Sequence, residues 1–149
     1  MRKLLLILLA ALIVFSLPSC SERPDAEAII FGVVSAVGAE GVIYSPSRAE
    51  GEDGYIDEAL FSRIYITDGP MPESFAVFLN SHADYGAECG VFVASDAAEL
   101  ARLCEMCTER LELLDRGDRG FLLVQGRVVF YSTMTEPERV RRIFLEAAR

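Results

Sequence analysis

FLLVQGRVVFYS, residues Phe121 to Ser132, holds two short apolar runs on either side of Gly126. Glycine takes the positive φ that a two-residue hairpin turn demands, so the stretch reads as a β-hairpin, Phe121–Gln125 and Val128–Ser132. FLLV and VVFY are apolar at successive positions rather than at alternate ones. Such strands have no side for water, and both faces of their sheet must be covered.

Working outward, the chain supplies the rest of that sheet and its cover. Phe75–Asn80 and Cys89–Ala94 are apolar runs separated by the turn-rich SHADYGAE, a second hairpin with a longer loop. Between the hairpins, Asp96 and Glu99 have the spacing of a capping box. Leu100, Leu103, Cys104, Cys107, Leu111 and Leu114 follow on one helical face, with Arg102, Glu105, Glu109 and Glu112 turned to water. After the last strand, Thr135 and Glu138 bracket Pro137 as another capping box, and Val140, Ile143, Phe144 and Ala147 line a final helix. Upstream, Pro24 and Asp25 start a helix carrying Ala26, Ile30, Val33, Val34 and Val37. Ile29–Val34 is β-branched enough for a strand, but a periodic run of about a dozen residues favours a helix. Tyr55–Ile66 reads as a short docked helix closed by the Asp68-Gly69-Pro70 turn. The expected fold is therefore α+β: an antiparallel sheet from two hairpins, in the order α-(α)-β-β-α-β-β-α, with helices packed on the sheet. The two later helices are expected on one face and the N-terminal helical region on the other.

The N-terminus has a different grammar. Arg2 and Lys3 precede an apolar run from Leu4 to Phe15, and Ser16–Ser19 brings small and turn-forming residues, the three parts of an export signal. The apolar run is shorter than the roughly 20 residues that span a bilayer. Leu17-Pro18-Ser19-Cys20 resembles the lipobox of bacterial lipoproteins, in which the cysteine is acylated and becomes the first residue; Pro18 departs from the usual small residue there. An ordinary export signal with a chance cysteine, or an uncleaved anchor, is the alternative. The expected organisation is a signal peptide over residues 1–19, a lipidated Cys20 with a tether to residue 24, and one extracytoplasmic domain over 25–149. The two or three acyl chains of such a lipoprotein hold it firmly to the membrane.

Charge and composition narrow the function classes. The chain carries −9, and loss of a leader containing Arg2 and Lys3 makes the mature protein −11. A surface so acidic repels nucleic acid, which is not an expected partner. Every basic residue after Lys3 is arginine, so Schiff-base chemistry on a lysine is excluded for the mature chain. No GxSxG, HExxH, Walker or GxGxxG pattern is present.

The candidate chemical residues are few. Cys104-Glu105-Met106-Cys107 is a CxxC, but it lies inside a helix on the core-facing stripe, far from the helix N-terminus that would activate a thiol. Buried small hydrophobes are the favoured reading; a bridge from Cys89 to Cys104 or Cys107 is the alternative in an exporting compartment. His82 is the only histidine, with Asp84 and Glu88 nearby, and reads as a solvated loop side chain rather than a ligand or base. Glu50, Glu52 and Asp53 lack the spacing of a calcium loop and read as a solvated acidic insert within Gly38–Gly54. Arg139, Arg141, Arg142 and Arg149 make the last helix basic outside. Contact with lipid phosphates is one use for them, pairing with the protein's own carboxylates the favoured one.

Four segments carry a further resemblance: the lipobox, SFAVFLNSHADYGAECGVFVASDAAELARL, TERLELL with Arg110-Leu111, and GFLLVQGRVVFYS. Together they resemble a family of small lipoproteins of Gram-positive, clostridia-like bacteria known only as a domain of unknown function. That resemblance implies an envelope lipoprotein without catalytic residues to transfer. The expected function is a lipid-anchored, non-enzymatic, extracytoplasmic domain at the cell membrane that binds a protein or small-molecule ligand, with no cofactor or metal. The alternative is a thiol-dependent redox or metal-handling protein using Cys89, Cys104 and Cys107. A hydrolase built on His82 ranks last.

Overall fold

Asp25 opens the first helix through its own side chain: Oδ1 accepts from the backbone N–H of Glu27 at 3.0 Å and of Ala28 at 3.2 Å, satisfying two otherwise orphaned donors. A computed structural model describes the chain over residues 23–67, 69–80 and 87–149. Its elements are α1 (Ala26–Val37), β1 (Gly41–Tyr44), α2 (Glu58–Tyr65), β2 (Phe75–Asn80), β3 (Glu88–Val93), α3 (Ala97–Leu114), a 3-10 turn (Gly117–Arg119), β4 (Phe121–Gln125), β5 (Val128–Ser132) and α4 (Pro137–Ala147). The fold is α+β.

Both hairpins form. Gly126, at φ 60°, and Arg127 make the tight turn that sets Gln125 opposite Val128. The hairpins join through β3 and β5, giving the strand order β1-β2-β3-β5-β4 with every neighbouring pair antiparallel. Among the described residues the sheet thus has five strands, one more than the two hairpins provide. The extra strand is GVIY, in the glycine-marked insert expected to be loop. Four residues are too few to show a period, and they are held as a strand by register with β2, Gly41 opposite Asn80 and Tyr44 opposite Val77. A bridge between Ser45 and Tyr55 then folds the insert back along the outer end of β1.

The continuous apolar runs are covered on both sides. Ala76, Phe78, Cys89, Val91, Val93, Val128 and Phe130 point to one face and pack under α1 and α4. Phe75, Val77, Phe92, Val129 and Tyr131 point to the other, under α2 and α3. This corrects the expected division, in which α3 and α4 shared a face. They leave the sheet from the ends of β3 and β5, which are antiparallel neighbours, and the 18-residue α3 together with α2 already fills its side. α4 instead lies antiparallel to α1. Its Arg139 donates to the carbonyl of Ala36 at 2.9 Å, and its Phe144 ring stacks on Phe130 at 4.4 Å.

Two helix starts also differ from expectation. Asp96 accepts from the Glu99 N–H at 2.8 Å as a cap should, but the Glu99 carboxylate reaches past it to the N–H of Ser95 at 2.6 Å and to the Ser95 hydroxyl. At α4 the cap is Glu136, not Thr135, and no side chain caps it. Pro137 at the first helical position has no N–H, so one of the four donors otherwise left orphaned at a helix start is absent. On α3 the buried residues are Leu103, Met106 and Cys107, while Cys104 lies at the margin of the core. Asp68 falls outside the described residues.

Candidate functional site

Glu88 is the carboxylate at the head of β3, in a strand otherwise made of ECGVFV and buried along its whole length. Its side chain is only 3 % exposed, and a charge so placed must be paired and hydrogen-bonded to persist. Arg110, from the fourth turn of α3, does this with two of its arms. Nε donates to Oε1 and Nη2 to Oε2, each at 2.7 Å, the planar two-point contact that guanidinium makes with carboxylate. The third arm, Nη1, donates to the Ile64 carbonyl at 2.9 Å, in the last turn of α2, where a cation is favoured by the helix dipole. Tyr131 of β5 donates to Glu88 Oε1 at 2.7 Å, and its hydroxyl meets that of Tyr65 of α2 at 2.8 Å. The Glu88 N–H donates to Thr133 Oγ1 at 3.0 Å.

Electrostatics follow from this burial. Burial, and then the neighbouring charge of Glu88, push the Tyr65 hydroxyl well above its ordinary range; burial, then Tyr65 and Glu88, do the same to Tyr131. For Arg110, burial works against the charge, yet the Glu88 contacts outweigh it and hold the guanidinium more firmly protonated. Both hydroxyls therefore keep their protons and act as hydrogen-bond donors.

Above the network the surface turns apolar. α2 ends at Ile66, which adopts the left-handed conformation at φ 47°, ψ 50°, its N–H donating to Ser62 O at 2.9 Å. A β-branched residue is strained there. Ile66 is nevertheless 68 % exposed, and Leu113 of α3, across from it, is 58 % exposed. With Tyr65, Glu109 and Arg110 they line a cleft of about 200 Å³. Chemically, this is a rigid polar floor with an apolar lip, suited to holding an aliphatic or aromatic group.

The residues singled out from sequence lie elsewhere or in part here. Cys20, His82 and Asp84 are outside the described residues. Glu88, grouped with His82 by proximity in sequence, has its carboxylate committed to Arg110 and Tyr131. Cys89 is buried under α1 and α4, whereas Cys104 and Cys107 belong to the opposite face, so the sheet stands between the partners of the envisaged bridge; all three thiols are free. Burial, and then Glu88, push the Cys89 thiol far up; burial, Cys104 and Glu88 do so for Cys107, and burial alone raises Cys104. Thiolate, the reactive form, is thereby suppressed. Among the described residues no three His, Cys, Asp or Glu side chains converge as a metal site, and within the acidic insert Glu52 accepts from Ala49 N–H at 3.0 Å. No sequence motif marks the Glu88–Arg110–Tyr131–Tyr65 network. Its one sequence signal is Glu88 itself, a carboxylate heading an apolar strand that demands a buried cation.

Compared with protein-family models, with curated proteins and with solved structures, the chain matches none.

Removing Arg110 alone strands the Glu88 charge. Arg110→Met is expected to lower unfolding free energy by about 3–5 kcal/mol, and Glu88→Leu/Arg110→Met by clearly less than the two single changes together, as read by urea denaturation. Alkali gives an independent check. The buried thiols and tyrosines have folded values raised above their ordinary 9.0 and 10.0. Protons therefore leave the unfolded chain first, and the stability these groups confer is intact below pH 9 and lost as pH climbs through and beyond 10. Each contributes up to about 1.4 kcal/mol per pH unit. The urea midpoint should fall over that range, with Tyr65 and Tyr131 ionising only as the protein unfolds.

Proposed function

We propose that the protein is a lipid-anchored extracytoplasmic domain, acylated at Cys20 and of the small-lipoprotein kind its sequence resembles, that works by binding an apolar group of a protein or small ligand at the Ile66–Leu113 cleft. The observation that carries this reading is Ile66, a strained β-branched residue presented to solvent beside a second exposed aliphatic side chain, over a floor locked by a buried ion pair. Strain of this kind clusters where a surface has work to do, and its stability penalty is one that glycine would remove. Against the thiol-dependent alternative stand the burial of Cys89 and Cys107 and their separation by the sheet.

Ile66→Gly tests the carrier. At a left-handed position, with little buried area to lose, it should raise the unfolding free energy by about 1 kcal/mol; a loss of stability would make Ile66 a fold residue and remove the basis for the cleft. The anchor has its own measurement, the intact mass of protein purified from membranes of a lipoprotein-processing host after alkylation without reductant. The expected mass starts at Cys20 and includes a diacylglycerol-sized addition, with Cys89 and Cys107 labelled only after denaturation. A chain starting at Met1, or a secreted form without lipid, overturns the anchor; rapid native labelling of both buried thiols favours the redox alternative.

A further inference from the structure

The water-facing charges of α3 are of one sign once its internal pairing is subtracted. Arg102 lies 3.6 Å from Glu99. Glu105, Glu109 and Glu112 are exposed, and their carboxylates make no ion pair or hydrogen bond among the described residues. Spaced at i, i+4 and i+7 they form a row on one side of the helix, where like charges a turn apart are destabilising. The row ends at the least favourable place for it. No basic residue occupies the last turn of α3, the cap that follows is another carboxylate, Asp115, and the open carbonyls of a helix C-terminus carry partial negative charge of their own.

The Ile66–Leu113 cleft opens at this end. Leu113 follows Glu112 directly and lies one turn on from Glu109, which is part of the lining. The other charged lining residue, Arg110, has all three arms committed to Glu88 and the Ile64 carbonyl, so it offsets a buried carboxylate and not the exposed ones. Of the nearby bases, Arg63 projects from the side of α2 opposite Phe61 and Tyr65 and does not line the cleft, and Arg116, beyond the end of α3, has a partner of its own. The cleft is thus an apolar slot bordered on its α3 side by uncompensated negative charge. Its volume, about 200 Å³, is below the roughly 300–1,000 Å³ of small-molecule sites and suits a single aliphatic or aromatic side chain. From Glu105 to Glu112 the row runs about 10 Å along the helix axis, further than a molecule filling the slot extends, whereas a peptide supplies an anchor and charges along its length.

We infer that the partner at the cleft is a protein segment of basic and apolar character: one aliphatic or aromatic side chain seated between Ile66 and Leu113, with flanking Lys or Arg set against Glu105, Glu109 and Glu112. This deepens, and rests on, the reading of the cleft as a binding surface. Charge complementarity of this kind speeds encounter and rejects acidic competitors, among them other copies of this chain at net charge −9.

The test presents a random-peptide library on phage to full-length protein in neutral detergent, with Leu113→Ser protein used to remove peptides that ignore the cleft. The peptides that remain should be enriched several-fold over the input library in an aliphatic or aromatic residue flanked by Lys or Arg. A synthetic copy of the leading peptide should bind several-fold more weakly in high salt, and more weakly to Glu105→Gln/Glu109→Gln/Glu112→Gln protein. The same triple variant checks the premise without a ligand: with the like charges gone its urea midpoint should rise, and an unchanged or lower midpoint shows the charges compensated within the protein and removes the premise. Peptides that depend on Leu113 but are neutral, and bind equally at all salt concentrations, overturn the basic partner and leave the cleft as a binding surface. If no peptide remains after the Leu113→Ser step, the cleft falls as a binding surface and this inference with it.

Discussion

The Glu88–Arg110 pair is the constraint on which the rest of the arrangement depends. Glu88 heads the central strand β3, and desolvating its charge costs several kcal/mol unless a cation and further donors surround it. Arg110 can supply them only if α3 lies across the sheet with its fourth turn above β3. The arm of Arg110 that remains fixes the end of α2 through the Ile64 carbonyl, and the Tyr131 and Tyr65 hydroxyls close the cluster from β5 and α2. One ion pair thereby determines the mutual placement of four elements. Its stabilising value against an apolar replacement is small; what it confers is a single geometry, because any other docking of α3 leaves a buried carboxylate alone.

Around that pair the aromatic side chains form two separate stacks, one on each side of the sheet. Phe75, Phe92 and Tyr131 stack along one face, with ring centroids 5.6 and 6.3 Å apart, and Tyr65 meets Phe92 edge-on. On the other face Phe130 stacks with Phe144. Gly90 belongs to this scheme, since a Cβ there would come within 2.5 Å of the Tyr131 ring. The absence of a side chain at Gly90 is what lets Tyr131 lie over β3 and reach Glu88.

The two faces also divide the surface of the protein. The α1–α4 side carries the start of the domain, and the α2–α3 side carries the polar network and its apolar lip. The cysteines do not follow this division. They are distributed between both cores, where burial suppresses their thiolates, and they behave as small apolar side chains filling space beside the sheet.

Sequence alone determined whatever depends on near neighbours in the chain. The Gly126 turn, the Asp25 and Asp96 caps, Pro137 at the start of α4, the runs at Phe75–Asn80 and Val128–Ser132 and the need to cover both faces of the sheet are local chemistry, readable from a few adjacent residues. What only the tertiary structure decided rests on contacts between distant segments. β1 is a strand because β2 offers its edge. α4 sits under α1 because α2 and α3 occupy the other face, and Cys89 is parted from Cys107 because successive residues of a strand point to opposite sides. The Glu88–Arg110–Tyr131–Tyr65 cluster draws single residues from four elements, with the two tyrosines 66 positions apart in the chain. No local period or spacing encodes such a meeting, since its driving force, the desolvation of one carboxylate, exists only after the sheet and helices have closed around it.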